Sequence, residues 1–468
     1  MESSLPVLSI ADREVALRIA SELANAVSAD AISNDAAQLT QWSMDDIAPR
    51  CVVSPGSAAE VAELLKLCSA RGWVVVPAGG FTMQSTGRRA AACDVLLRTD
   101  RLNHVAFYDP GDLTVGLGAG VTIAAQRALL REHGQWLPLS GASSAKSTIG
   151  GVAATNFNGP AAACFGGLRE YCIGVQFVTS DGKTVRGGGR VVKNVAGYDL
   201  MKLMIGSFGT LGVITEMNFK VFPRPRQTRT FLLECASPEE LMATRDRLLR
   251  TSLTPLCFEI ISPHAQELLQ HPAEARDPDE YAPEGRLDSA QRPWVLAMRA
   301  SGSDAVLARY RSVLRKGTPE LAEAAEEEFW ERLDNFASYV AARGPNSLLL
   351  RIGSTTDQVA AVLSAVAKML SDFDLLPAVI GRAAMASFLV GLVPLAVGPP
   401  SAEKLAKAIA AVRAAVPAGA IVTVLGMPAE AKTHCDPWDA HASDLDLMRN
   451  IKRALDPAGI LNRGRYMV

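Results

Sequence analysis

The stretch VVKNVAGYDLMKLMIGSFGTLGVITEMNFKVFPRP (residues 191–225) sets three glycines, Gly206, Gly209 and Gly212, directly ahead of an alternating apolar–polar run. GVITEMNFKVFP has the two-residue period of a half-solvated strand. Pro223 and Pro225 stop that strand, because proline donates nothing to a ladder. A domain boundary is therefore expected after Pro225. Taken alone, GSFGTLGVIT reads equally as a glycine-rich turn entering a strand.

Upstream, residues 141–212 are rich in Gly, Ala, Ser and Asn. FVTSDGKTV (residues 177–185) predicts a hairpin through an Asp181-Gly182 turn. STIGGVAATNFNGP (residues 147–160) places Gly150 and Gly151 beside small residues and the polar Thr148, Thr155 and Asn156. Such a run lets an extended cofactor lie against backbone, and close helix–sheet packing demands the same residues. Further back, CVVSP, a helix over 58–71 and WVVVP read as strand, helix and buried strand. Ser57 and Glu60 have capping-box spacing, and Gly72 ends the helix. The loop PAGGFTMQSTG (residues 77–87) follows. Adjacent glycines after a buried strand allow backbone N–H groups to converge on phosphate oxygens, with Thr82 and Ser85 as added donors. An ordinary glycine turn looks the same in sequence. The loop does not fit G-x-G-x-x-G opening a helix, which disfavours a Rossmann site.

From about Gln227 to Ala418 the chain alternates strands with amphipathic helices. FLLECAS, WVLAMRASGS, SLLLRIGS, AVIGRAAMASFLV and AIVTVLGM read as strands of one sheet. PELAEAAEEEFWERLDNF reads as a helix with a solvated outer face, and residues 271–292 as an exposed excursion. The last segment is an amphipathic helix ended by Asp456-Pro457 and a short irregular tail.

Composition sets the outer limits. The chain has 468 residues, 49% hydrophobic and 21% charged, with a formal net charge of -2. That is an ordinary globular balance with no basic stripe for nucleic acid. Eight scattered cysteines form no CxxC pair, so they read as reduced core thiols rather than zinc or iron–sulfur ligands. The N-terminus lacks the basic start and apolar stretch of a signal peptide, and Val15, Ile19, Leu23 and Val27 mark a helix stripe instead. Residues 383–398 are too short for a membrane span and contain Pro394, so buried strands separated by a turn are expected there. A cytoplasmic protein follows as the expectation, peripheral at the inner membrane only through partners.

The order of the three glycine segments resembles the FAD domain of the vanillyl-alcohol-oxidase (PCMH-type) family. Residues 191–225 look like the KNVxGYDL…GSxGTLGVITE motif of glycolate oxidase and D-lactate dehydrogenase flavoprotein subunits. LMRNIKRALDPAGILNRGRYMV (residues 447–468) resembles their LKxxLDPxGxLNPGR ending. The resemblance covers residues 48–225 and the C-terminal segment well, and the middle mainly by element order. It implies an α+β protein: a PCMH-type FAD-binding domain of two α/β subdomains, and an α+β cap domain with an antiparallel sheet. The implied domains are 1–47 (lead-in helix), 48–225 (FAD-binding), 226–425 (cap) and 426–468 (a segment returning to the FAD domain).

It further implies that Pro77, Ala78, Gly79, Gly80, Phe81, Thr82 and Met83 hold the FAD pyrophosphate. Ser147, Thr148, Ile149, Gly150, Gly151, Ala154, Thr155, Asn156, Gly159, Gly212, Val213 and Ile214 would line the rest of the cofactor. Ala78 and Phe81 stand where the family shows an Arg and a third Gly. No His lies in the first loop and no Cys just before TIGG, so non-covalent FAD is expected. The family's catalytic subunits carry a histidine-rich metal-binding strand. Its counterpart here, AVIGRAAMASFLV, has no His, Asp or Glu, so no metal is expected and the E subunit of glycolate oxidase is favoured over the D subunit. For oxidation of a 2-hydroxy acid, Arg351 is the candidate carboxylate anchor, a charge inside an apolar strand; a salt bridge at a strand end is the plainer reading. Lys193, Asn194, Tyr198 and Asp199 belong to the motif, Tyr198 as a catalytic candidate, and His434 or His441 could serve as base. Trp438 packs either at the ring edge or in the core.

The resemblance implies a homologous flavoprotein subunit and an iron–sulfur subunit as partners. A free-standing FAD oxidase of another alcohol or acid, and a non-catalytic scaffold subunit, are the competing readings. Copurification separates the first of these from a complex subunit, and flavin content separates the second.

Overall fold

A computed structural model describes residues 10–143, 145–191, 197–271, 292–395, 400–439 and 444–468. Lys193, Asn194 and His441, and nearly all of the 271–292 excursion, lie outside the described residues. The chain forms two compact units. The first comprises Met1–Asn158, Gly167–Arg224 and Ala440–Val468; the second comprises Gly159–Gly166 and Pro225–Asp439.

The first unit contains two main sheets. In the smaller, the order is Ile32–Ser33, Cys51–Val53, Val95–Arg98, Val75–Ala78. Its last three strands are parallel, and the helix Ala58–Arg71 connects Cys51–Val53 to Val75–Ala78. Sequence marks both ends of that helix. Ser57 Oγ accepts from the Glu60 amide at 3.2 Å, Glu60 Oε2 accepts from the Gly56 amide at 2.8 Å, and Gly72 is left-handed at φ 68°. Val61, Leu64, Leu65 and Cys68 fall on one face and are buried against Cys51, Val53, Val75, Val95 and the N-terminal helix residues Ile19 and Leu23.

The second sheet runs Val105–Asp109, Thr114–Gly118, Val213–Lys220, Cys172–Val178, Thr184–Gly188, all antiparallel. The last pair is the expected hairpin, but its loop is longer than two residues. The Thr179 amide donates to Lys183 O at 3.0 Å, and only Gly182 of the loop has positive φ. A two-residue type I′ turn would need both central residues left-handed. Residues 440–468 return to this unit, where Leu461 forms a parallel bridge with Val75.

The second unit is one eight-stranded antiparallel sheet. Its order is Glu320–Leu321, Thr228–Cys235, Trp294–Ser301, Cys257–Ile261, Leu375–Arg382, Ser387–Pro394, Leu348–Gly353, Ile421–Gly426. One face is apolar: Phe231, Phe258, Ile260, Met298, Leu350, Phe388 and Val390 are buried with residues of four helices, including Val362 and Val366 of Val359–Phe373 and Ile409 of Ala402–Ala415. The period-two alternation then puts Glu259, Arg299, Arg351 and Arg382 on the opposite face.

Three expectations are corrected here. AVIGRAAMASFLV is not one strand: it spans Leu375–Arg382, a turn with Ala386 at φ 50°, and Ser387–Pro394. Within 383–398 there is accordingly one described strand rather than two. In PELAEAAEEEFWERLDNF, Glu320–Leu321 pairs as a strand and the helix begins at Glu323. Nor is its acidic surface all solvated, since Glu326 is 2% exposed. Its carboxylate accepts from Thr230 Oγ1 at 2.7 Å and from Thr228 Oγ1, and lies 3.3 Å from Arg299 Nε. Those partners arrive from remote strands, which helical periodicity does not register.

Candidate functional site

The first glycine loop leaves the sheet at the end of strand Val75–Ala78, so its position is fixed by a buried parallel strand. Gly79 and Gly80 then run against residues 146–148. A Cβ on Gly79 would lie 2.0 Å from Thr148 Oγ1, and one on Gly80 would lie 1.7 Å from Lys146 O. Both distances are impossible for a side chain, so Gly79 makes room for the Thr148 side chain and Gly80 lets the two segments approach backbone to backbone. Thr82 Oγ1 and Ser147 Oγ are 3.1 Å apart, and Ser147 Oγ accepts from the Ser143 amide at 3.1 Å.

Phe81, next in the loop, adopts a glycine-like backbone, φ 60°. That conformation costs a residue with a Cβ about 1–2 kcal/mol. The ring is turned onto Trp42, edge to face at 5.1 Å between centroids, in the cluster around Leu39, Val76 and Leu96. The aromatic contact offsets the strain by about 0.5–1.5 kcal/mol.

The second segment forms the short helix Ile149–Thr155, capped by Thr148 Oγ1 on the Gly151 amide at 3.3 Å. A Cβ on Gly150 would lie 2.8 Å from Ala119 Cβ, so this glycine serves close packing. Asn156 is left-handed at φ 49°, and the helix's last carbonyls accept from the third segment: the Gly206 amide donates to Ala153 O at 2.9 Å, and the Phe208 amide to Ala154 O at 2.8 Å. The Ile149 amide donates to Val121 O and the Gly150 amide to Ala119 O, while the Ala119 amide donates to Thr215 O. Three segments far apart in sequence are thus joined into one backbone surface. Val213 and Ile214 are buried, the former in the core of the smaller sheet, so the third segment can meet a ligand there only through backbone.

Neither residues 77–87 nor residues 143–156 contain a carboxylate. Small residues, hydroxyls and glycine backbone suit an extended anionic cofactor, so the residues present fit FAD.

The remaining predicted residues are not brought to this surface within the first unit. Tyr198 is 90% exposed, and among the described residues no hydrogen bond holds its hydroxyl. Asp199 pairs with Lys202 at 2.6 Å. Gly159 and Arg351 belong to the second unit, as do His434, which is exposed, and Trp438, which is buried. Arg351 is half-buried, its strand neighbours being Leu389 and Thr423.

On the same face of that sheet the structure adds two groups that sequence reading passed over. Arg382 donates from Nε to Gly159 O at 2.9 Å and from Nη1 to Ser387 Oγ at 3.0 Å. Across the ladder from Arg382 stands Glu259, 2% exposed, with Oε1 buried and, among the described residues, no hydrogen bond to it. Burial pushes the Glu259 carboxyl up to about 8, against the pull of Arg382. The argument applied to Arg351, a charge inside an apolar strand, would have found Glu259 in CFEII. Arg382 lies in AVIGRAAMASFLV, where sequence shows only an arginine in an apolar run.

Among the described residues no group of three or more His, Cys, Asp or Glu could hold a metal ion, and no helix is long and apolar enough to cross a membrane. The cysteines are free, and burial raises the Cys51 and Cys172 thiols to about 12.

Comparison with known proteins places these features. Residues 49–188 match the family described as FAD binding domain, and residues 433–466 match FAD linked oxidases, C-terminal domain. The glycolate oxidase subunit GlcD of Bacillus subtilis (strain 168) is 25% identical over 431 residues, covering 89% of this chain and 88% of that protein. The glycolate oxidase subunit GlcE of Escherichia coli (strain K12) is 37% identical over 156 residues, 33% of this chain and 45% of that protein. Thus the chain spans under half the length of GlcE but nearly all of GlcD. The crystal structure of p-cresol methylhydroxylase with substrate bound superposes with a TM-score of 0.74 at 17% identity, covering 98% of this chain and 97% of that one. The glycine surface and the two matched segments together make this chain an FAD-linked oxidoreductase, and its fold is the one seen in p-cresol methylhydroxylase.

Proposed function

We propose that the chain is the FAD-carrying subunit of a glycolate-oxidase-like complex that oxidises a small D-2-hydroxy acid. The observation that carries this reading is the match to GlcD over 89% of the chain, which joins both units to a hydroxy-acid oxidase subunit. When bound, FAD supplies the hydride acceptor for the C–H bond beside the hydroxyl. Gly79, Gly80, Phe81, Thr82 and Met83, entered from Pro77 and Ala78, hold its pyrophosphate. Residues Ser147, Thr148, Ile149, Gly150, Gly151, Ala154, Thr155 and Asn156, with the backbone of Gly212, Val213 and Ile214, line the remainder. Attachment is non-covalent, as the first loop offers no histidine.

Substrate recognition falls to the charged face of the second sheet. Arg351 anchors the substrate carboxylate there, because a guanidinium matches a carboxylate's two oxygens. Electrons leave to a separate iron–sulfur subunit, in keeping with eight cysteines that are scattered in sequence and mostly buried. A homologous flavoprotein subunit completes the complex, and cytoplasmic residence follows. Between the two glycolate oxidase subunits, the strand without His, Asp or Glu favours E and the full-length match favours D. Anaerobic titration of the FAD-loaded chain, alone and with copurified partners, tests the proposal. Bleaching of the flavin by glycolate or D-lactate is expected. Flavin that stays oxidised with both acids, in both preparations, contradicts it.

A further inference from the structure

The first glycine loop is held from behind by the end of the chain. Residues 460–466 run beside the strand that leads into the loop: the Val75 amide donates to Ile460 O and the Asn462 amide to Val75 O, both at 2.9 Å. Beyond that pairing, Arg465 turns inward and is 6% exposed. Its Nη1 donates to Gln84 Oε1 at 2.5 Å, and its Nη2 donates to Thr86 O at 3.0 Å and to Gln84 O. The main chain fixes the same region, since the Arg88 amide donates to Arg465 O at 2.9 Å and the Ala91 amide to Arg463 O at 3.1 Å. Gln84 closes the circuit, its Nε2 donating to Pro77 O at 3.4 Å across the mouth of the loop.

Burying a guanidinium is costly unless its donors are satisfied. Three of its hydrogen bonds go to loop carbonyls and an amide oxygen, while Met44 Sδ lies 3.5 Å from Nη1 and the Asp45 charge acts from outside the loop. Most of what satisfies the charge therefore also shapes the loop. On the other side, Asn462 Nδ2 donates at 2.5 Å to Phe208 O in the third glycine segment, and the Tyr466 ring stacks on Phe208 at 5.3 Å. The last residues of the chain therefore touch two of the three segments that build the cofactor surface.

We infer that Arg465 is a positioning residue for the pyrophosphate loop, and that the C-terminal strap sets the chain's affinity for FAD by holding residues 79–86 in their binding shape. This rests on the reading that this loop holds the pyrophosphate. Pre-organisation is the physical content: a loop already shaped loses less entropy when the cofactor binds.

The test is a double-mutant cycle on the full-length chain stripped of flavin, read by quenching of added FAD fluorescence and by the melting temperature of the apo-protein. Arg465→Met and Gln84→Ala should each weaken FAD binding about tenfold or more. The double variant should lose little beyond either single one, because both act through one contact. Arg465→Lys, which keeps the charge but not the fork, should recover part of the loss. A role in general stability alone would instead lower the apo melting temperature and leave the two losses additive. Should Arg465→Met fail to fold, Gln84→Ala and Arg465→Lys carry the same comparison. FAD affinity within twofold of wild type in the folded variants, or additive losses, overturns the inference while the loop reading stands. A wild-type chain that takes up no FAD overturns the loop reading, and the inference falls with it.

Discussion

Glu259 carries a testable consequence of burial. Its carboxyl is buried beside Arg382 with one oxygen that no described residue hydrogen-bonds, and its affinity for a proton rises from the ordinary glutamate value of 4.5 to about 8. Between those pH values the folded chain holds a proton that the unfolded chain has released. Stability must therefore fall as pH rises across that window, at ~1.4 kcal/mol per pH unit at most. Glu259→Gln resembles the protonated acid and removes the linkage. Its stability relative to wild type should grow by a few kcal/mol between pH 5 and pH 8, by roughly the linkage slope above. Denaturation at the two pH values checks this, and parallel profiles would count against a buried neutral carboxyl. The residue was legible in principle, being one acid in CFEII; what sequence could not supply was its cross-strand neighbour Arg382, set by a ladder between strands far apart in the chain.

At the scale of the element, local signals worked where the contacts were local. Ser57, Glu60 and Gly72 delimit a helix from within a few residues of it. The strand expected to run to Pro223 ends instead at Lys220, and Phe222–Pro223 pair with Gln135–Trp136 in a separate ladder, because a distant partner strand, not the prolines, sets that end. Contacts between distant elements were not legible. The return of the C-terminal tail to pair with Val75 and the burial of Glu326 by Thr228 and Thr230 depend on pairings that no periodicity encodes. The glycine loops stand between these cases. Their composition suggested a cofactor surface, but each run alone was also an ordinary turn. The structure distinguishes their uses: Gly150 serves packing on Ala119, Gly79 makes room for the Thr148 side chain, and Gly80 brings two loops backbone to backbone. Gly80→Ala would force its Cβ to 1.7 Å from Lys146 O, so the loop must move. We expect this variant to lose FAD in purification, while Gly56→Ala, whose Cβ would meet only the far end of Arg101 at 3.7 Å, retains wild-type flavin content. Equal flavin in both would show that the approach of the two loops does not matter to the cofactor.

In the whole molecule the division of labour follows the two cores. The first unit gathers the three glycine segments onto two sheets; the second builds one broad sheet with one apolar face, the opposite face carrying Arg351, Arg382 and Glu259. That partition explains why family resemblance was strong over residues 48–225 and weak between them and the C-terminus. Cofactor loops constrain residue type at fixed spacing, while a sheet-and-helix layer accepts any apolar alternation of adequate volume. It also explains why catalytic candidates were harder to choose than cofactor residues. Tyr198 belongs to a well-marked motif, yet its ring is 90% exposed.

The account depends most on the glycine surface holding FAD without a covalent bond. Its most direct test is the visible spectrum of the purified full-length chain, recorded before and after acid precipitation. The account predicts a flavin spectrum, with FAD released into the supernatant and a colourless pellet. A colourless protein that takes up no added FAD would contradict the central claim, and flavin retained in the precipitate would contradict the non-covalent attachment.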